Sequence, residues 1–443
     1  MNGSPDKAAD GAADHRRKRL LLVRSAAALV STSTVTAGLG FVYWVAAARL
    51  FPPSDLGESA TAIAAMSLIA PFTILGLGTL LISQLPATLG DRATLIATAA
   101  MLSAVIGSLM ALLCAVLLPG EFLGLPGIGH EVPITALFVA GAAAQGVGLL
   151  LDQALLSFVG SGMQLLRNTV AVVSKLAFLA LIALAFGAPG SLAIFASWFA
   201  ANVLSIGVLG AILLRRYRVA PRRLAPSRSA LAGLHIDAAR HHTLNMALYI
   251  PFFAMPIVAN VILGPAQAGY LYATWSLAGF VFHLPISLAM ALFASGARDT
   301  RTFLMEFRFT LRAALLVCAA ANLLMVVLGG FILGIFGPEY AANGRTALIF
   351  MCVGGLALVI KDHHVALARV SGRVGREAAL ISVLGAAELI GAAIGAVRGG
   401  LTGLGLGWLA GVAAGAVVCG PWVWQAYRGA IDFSSPPVSR AGR

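Results

Sequence analysis

The sequence is poor in charge and poor in motifs that could carry covalent chemistry. Asp, Glu, Lys and Arg make up 11% of its 443 residues, against roughly 25% in an average soluble domain. So little charge cannot cover a globule of this size with polar surface, which excludes a soluble multidomain enzyme. Cysteine is scarce too. Cys114, Cys318, Cys352 and Cys419 fall inside apolar blocks and none belongs to a CxxC, so they read as small buried hydrophobes, not as a disulfide framework or metal site. Acidic residues number 17 against 30 Lys and Arg, giving a net charge of +13. That excess does not point to nucleic acid, because no aromatic-interleaved basic groove accompanies it. A cleavable signal peptide is also missing. The opening MNGSPDKAADGAADHRRKR is long and polar, and the apolar block behind it lacks an A-x-A end.

What the sequence has instead is apolar residue, 59% of the chain, in blocks near the length of about 20 that spans a bilayer. Twelve blocks are expected as spans: 25–49, 58–82, 93–118, 132–158, 168–187, 191–214, 243–263, 268–293, 311–335, 344–368, 376–397 and 401–427. The fold class expected is therefore an all-α polytopic membrane protein. Orientation follows from the basic residues. Of the 30 Lys and Arg, only Arg49, Arg345 and Arg398 belong to the side opposite the termini. The positive-inside rule then places both termini in the cytoplasm and the chain in the inner membrane. The outer connections are short, the longest running GEFLGLPGIGHEV from Gly120. They leave hardly any backbone outside the bilayer to hold a catalytic site, and no catalytic residue, metal site or cofactor is expected.

The densest basic cluster, RRYRVAPRRLAPSR from Arg215, sits mid-chain. It divides the sequence into a cytoplasmic tail (1–24), a first six-helix bundle (25–214), a basic cytoplasmic linker (215–242), a second six-helix bundle (243–427) and a cytoplasmic tail (428–443). A weak repeat agrees: Pro53-Ser-Asp-Leu-Gly57 follows the first span and Pro265-Ala-Gln-Ala-Gly269 follows the seventh. Proline starts a helix readily and glycine permits close helix approach. Halves with an even number of spans share one orientation, as in transporters built of parallel repeats.

The segment from Gly38 to Pro86 is the most telling. A first span ends in Ala-Arg49-Leu-Phe, a Pro-x-x-x-Gly57 turn follows, and the second span ends in Leu-Gly-Leu-Gly78-Thr. With Gly264-Pro265 and the Ala368-Arg369-Val-Ser-Gly372-Arg373 exit from span ten, this resembles the polysaccharide-exporter branch of the multidrug/oligosaccharidyl-lipid/polysaccharide exporter superfamily. The resemblance implies a MATE-like fold, two six-helix bundles around a central cavity. It also implies flipping of a lipid-linked oligosaccharide or related anionic lipid by alternating access, with membrane lipids and other polysaccharide-synthesis proteins as partners. A drug or cation antiporter of the same superfamily, a membrane glycosyl- or acyltransferase and a non-transporting scaffold remain as alternatives.

Ionisable groups inside spans are costly and mark function or structural pairing. Candidates for the cavity and substrate are Lys175, Lys361, His283, Asn245 and Tyr249. Asp152, Asp362 and Glu388 are candidates for ion coupling or ion pairs, with Glu388 nearest mid-membrane. Asp152 and Lys175 fall at similar depth on consecutive spans, so a contact between them is expected. Lys361 and Asp362 are adjacent and point about 100° apart, so one should face the cavity and the other a partner helix. Pro251 and Pro256 make span seven the expected moving element, since proline releases backbone carbonyls. The hydroxyl run Ser31–Thr36 reads either as sugar contacts or as helix packing.

Overall fold

The computed structural model describes residues 38–74, 89–158, 161–187, 190–227, 236–296 and 300–430. The hydroxyl run, the Gly78 exit and most of both tails lie outside them. The described residues form helices joined by short turns, with no strand among them. In chain order these are α1 (Gly38–Leu50), α2 (Pro53–Ile74), α3 (Leu89–Leu117), α4 (Val132–Phe158), α5 (Ser161–Phe186), α6 (Ser191–Tyr217), α7 (Ile236–Leu263), α8 (Pro265–Gly296), α9 (Thr300–Phe336) and α10 (Pro338–Val370). The last stretch, Val374–Arg428, breaks at Gly399 and Gly400. Gly400, at φ 58° and ψ −144°, has a conformation that only glycine adopts readily. The two arms are α11 (374–398) and α12 (401–428).

Among the described residues nine helices are long and apolar enough to cross a membrane, or ten with the pair bent by 42° between His283 and Pro285. Each of the twelve expected blocks overlaps one of α1 to α12 where it is described; α1 is described only over Gly38–Leu50, so the described helices do not by themselves make twelve crossings. The helices are longer than the apolar blocks at one end. Helix α5 starts at Ser161 where 168 was expected, and α9 at Thr300 where 311 was expected. Arginine is a good helix former, so charged residues end an apolar block without ending a helix.

Helix α2 lies at the centre. Of its apolar window 83% is buried, against 22% for α3 and 17% for α9. It packs on α3, α4 and α6 on one side and on α7 and α8 on the other. Here the two copies of the Pro-x-x-x-Gly repeat meet. A Cβ at Gly57 would overlap the Pro265 carbonyl, and one at Gly269 would overlap the Pro53 carbonyl. The contact is reciprocal, as a pseudo-two-fold relation between the repeats requires, and only glycine permits it. Arg49, at the end of α1, donates from Nε to the Ile335 carbonyl (2.7 Å) and from Nη2 to that of Gly334 (3.0 Å). It thereby satisfies the end of α9, so α1 and α9 finish on the same side, as odd-numbered spans should.

Candidate functional site

A cavity of about 410 Å³ opens among α7, α8, α10, α11 and α12. It gathers seven of the sequence candidates: Asn245, Tyr249 and Pro251 from α7, His283 from α8, Lys361 and Asp362 from α10, and Glu388 from α11. Aromatic rings of Phe252, Trp275, Phe282 and Trp408 complete the wall. Pro256, one turn beyond Pro251, does not line it. Its carbonyl instead accepts a long hydrogen bond from the Thr61 hydroxyl of α2 (3.5 Å). Pro251 packs on Gly385 of α11, and the Ala247 carbonyl that this proline releases lies beside the same glycine.

Lys361 and Asp362 diverge as their spacing demands. The Lys361 ammonium meets the Glu388 carboxylate at 2.5 Å, with both side chains nearly inaccessible (5% and 3%). Asp362 forms no ion pair among the described residues, and its buried Oδ2 has no hydrogen-bond partner. Two turns further along α10, Arg369 donates to Asn245 on α7 (2.7 Å) and lines the same cavity. The following histidines are structural. His363 Nδ1 lies 2.9 Å from the Val359 carbonyl, and His364 Nε2 lies 2.8 Å from Glu377.

The other two candidates, Asp152 and Lys175, sit among the earlier helices and do not meet. Asp152 Oδ2 instead pairs with Arg167 Nη1 at 2.7 Å. Arg167 also donates to Asn202 (2.9 Å), which in turn donates to Gln145 (3.0 Å). Gly148 makes room, because a Cβ there would overlap the guanidinium. The expected pair fails for a definite reason. With α5 beginning at Ser161, Arg167 lies within the helix two turns before Lys175 and reaches Asp152 first.

Lys175 instead sits with its ammonium 3.0 Å from the centre of the Trp198 ring on α6. A cation over an indole face is stabilised by the ring quadrupole. No carboxylate pairs with it among the described residues. Trp198 packs on Tyr43 and Trp44 of α1, and Trp44 lies 4.2 Å from Tyr272 of α8. Lys175 is therefore joined to the later helices through the aromatic chain Trp198–Trp44–Tyr272, while α5 itself packs on α4 and α6. Tyr43 is fixed there by hydrogen bonds to Ser197 (2.8 Å) and the Ile194 carbonyl (3.0 Å).

Sequence reasoning missed Arg167, Arg369 and the aromatic cluster. Arg167 was assigned to a loop. Arg369 was seen only as part of a helix exit, although it lies seven residues from Asp362 and so on the same helix face. Nothing in the pattern linked Tyr43 and Trp44 to Trp198.

A family model described as polysaccharide biosynthesis protein matches residues 22–295, more than half of the chain. No curated protein matches the sequence. Among solved structures, the inward-facing form of a multidrug resistance MATE family transporter of the MOP superfamily superposes with a TM-score of 0.72 at 14% identity, covering 90% of this chain and 96% of that one. An outward-facing form of such a transporter gives 0.61 at 15% identity, with coverage of 92% and 95%. A MOP superfamily transporter from Pyrococcus furiosus, described as having a binding pocket of reverse polarity, gives 0.55 at 12% identity, with coverage of 92% and 95%. The fold is that of the MATE transporters.

Proposed function

The chain belongs to the polysaccharide biosynthesis protein family, and from that premise we propose that it flips a lipid-linked anionic oligosaccharide across the inner membrane by alternating access. In this reading helices α1 to α6 and α7 to α12 are two bundles in the membrane, joined by the basic linker 215–242. Both termini and the linker face the cytoplasm. The carrying observation is Lys175, a cation with an aromatic partner, joined through Trp198 and Trp44 to α8, and with no carboxylate pairing with it among the described residues. A lipid diphosphate would supply the missing anion, and the adjoining rings offer faces against which sugar C–H groups can stack. Two of the three candidate acids are already neutralised, Asp152 by Arg167 and Glu388 by Lys361. That disfavours a cation-antiporter lumen, for which Asp362 alone is left as an acid without an ion-pair partner.

In this reading the reciprocal Gly57–Gly269 contact is the closed outer gate of the cycle. Helix α7, which carries Pro251 and Pro256, would move as the gate opens, and Asp362 or Glu388 would bind the coupling proton or sodium ion.

The test uses proteoliposomes and a fluorescent lipid-linked oligosaccharide. Removing a charge-assisted contact to a phosphate should slow flipping about tenfold or more, so Lys175→Ala is expected to do so with no loss of expression or thermal stability. Asp362→Ala should abolish gradient dependence but leave passive flipping. If Asp362→Ala alone stopped export, and cationic dyes were the exported species, the antiporter reading would replace this one.

A further inference from the structure

A second cavity, of about 310 Å³, shares no lining residue with the first and does not include Lys175. Its lining comes from the start of α3 (Ile96, Ala100), the end of α4 (Leu151, Leu155), the end of α6 (Ile206, Gly210) and the linker that follows. It is almost wholly apolar, with Arg92 and Tyr217 at its polar end.

The linker closes one side of it with Val219 and Leu224 and carries its arginines beside the opening, not in the lining. Helix α6 ends with the Val219 amide bonded to the Leu214 carbonyl (3.2 Å) and the Arg218 amide to that of Arg215 (3.4 Å). Arg218 takes the left-handed conformation, φ 48°, as the only non-glycine with positive φ among the described residues. Glycine is the usual occupant of such a helix-ending position, so an arginine is held here at some cost. The turn sends the chain back across α3 as a short 3-10 helix, Pro221–Leu224. Thr94 of α3 donates to the Arg223 carbonyl (2.8 Å), the Ser227 amide donates to Thr98 (3.0 Å), and Leu224 reaches into the cavity. Five arginines, at 215, 216, 218, 222 and 223, are exposed along this segment, and no acidic residue lies between 215 and 227.

An apolar slot with a fixed basic segment beside its opening at the membrane boundary matches one amphiphile. We propose that it is a binding site for an anionic glycerophospholipid, one acyl chain filling the slot and the phosphate lying against the linker arginines. The transported lipid is a poorer match, because the slot opens onto neither Lys175 nor the first cavity. A resident lipid would hold the linker against α3.

The experiment uses the full chain in micelles and a phosphatidylglycerol with a photoreactive group near the end of one acyl chain. Labelling is expected on α4 and α6 around Leu151, Leu155 and Ile206, with phosphatidylcholine of the same chain labelling weakly. Gly210→Phe fills the slot. A Cβ at Gly210 meets nothing within 4 Å, so this variant should fold, and its labelling should be lost. Arg215→Gln and Arg222→Gln should each weaken labelling about fivefold, the contribution of one basic residue beside anionic lipid. Labelling that is equal for the two lipids, that persists in Gly210→Phe, or that never reaches the slot because the chain itself occupies it overturns the proposal. So does displacement of phosphatidylglycerol by a polyprenyl phosphate at far lower concentration, which would assign the slot to the cargo.

Discussion

Breaking the Lys361–Glu388 pair is the sharpest probe of the first cavity. The two charged atoms are 2.5 Å apart, and the side chains are 5% and 3% exposed. Neither can turn to water if its partner is removed. Stranding one member of such a pair costs about 3–5 kcal/mol, whereas replacing both with neutral groups of similar size is close to neutral. Lys361→Met and Glu388→Gln should therefore each lower stability by that amount in a mixed-micelle unfolding titration. The double variant should lie near the parent, so the coupling energy should approach the sum of the two single losses, about 6 kcal/mol or more. Transport then separates structure from coupling. If the double variant is stable and flips substrate against a gradient, the pair is only structural. If it is stable, flips passively and has lost gradient dependence, Glu388 takes part in coupling. Single and double effects that add to within about 0.5 kcal/mol would show that the two groups do not interact, and would refute the account of this cavity.

In the same assay Asp152→Asn should strand Arg167, whose side chain is 7% exposed, and Asp152→Asn with Arg167→Gln should be milder than the sum. Asp152→Asn with Lys175→Met should be additive, since those residues do not touch; non-additivity there would restore the direct pair. Gly57→Leu should force α2 from α8, lower stability by several kcal/mol as overpacking does, and raise the labelling rate of an outward-facing cysteine in α8; unchanged labelling would exclude this contact as a gate. Reporter fusions at Ala225 and after Arg443 should read cytoplasm and one at Gly127 the outside; an exterior signal at Ala225 would overturn the two-bundle topology.

Membrane proteins show their helices in sequence because the bilayer demands runs of about 20 apolar residues. Wherever they are described, the expected spans overlap helices for that reason, and nine or ten of those helices are long and apolar enough to cross a membrane. The same signal is blind to helix ends outside the hydrocarbon, where arginine continues a helix as well as leucine does. That blindness misplaced Arg167 and so gave Asp152 the wrong partner. Adjacent residues on one helix were easier: the divergence of Lys361 and Asp362 follows from helical geometry alone. Which helix each would then face depends on packing between segments distant in sequence. Lys361 and Glu388 are 27 residues apart, and Tyr43 and Ser197 are 154 apart. No periodicity encodes such distances. The Pro-x-x-x-Gly repeat was visible as a pattern, but its meaning was not. Two similar turns imply related halves, and only the structure places Gly57 and Gly269 against each other.

The charges divide unevenly in a way that bears on mechanism. Among α1 to α6 the acid Asp152 is satisfied by Arg167, which leaves the cation Lys175 with only a ring for a partner. Among α7 to α12 the cation Lys361 is satisfied by Glu388, which leaves the acid Asp362 with no ion pair. Among the described residues each set of helices thus holds a compensated pair beside a charge with no ion-pair partner. An unpaired charge at such depth costs several kcal/mol, a cost that a ligand of opposite sign relieves on binding. On the proposed function, the anionic headgroup relieves Lys175 and a proton or sodium ion relieves Asp362. Two ligands of opposite sign, each favouring a different set of helices, can bias one rigid-body equilibrium if their affinities differ between its two states. A satisfied network in both halves would offer neither ligand a reason to bind, so on the proposed function the two missing counterions are the places where cargo and coupling ion would act.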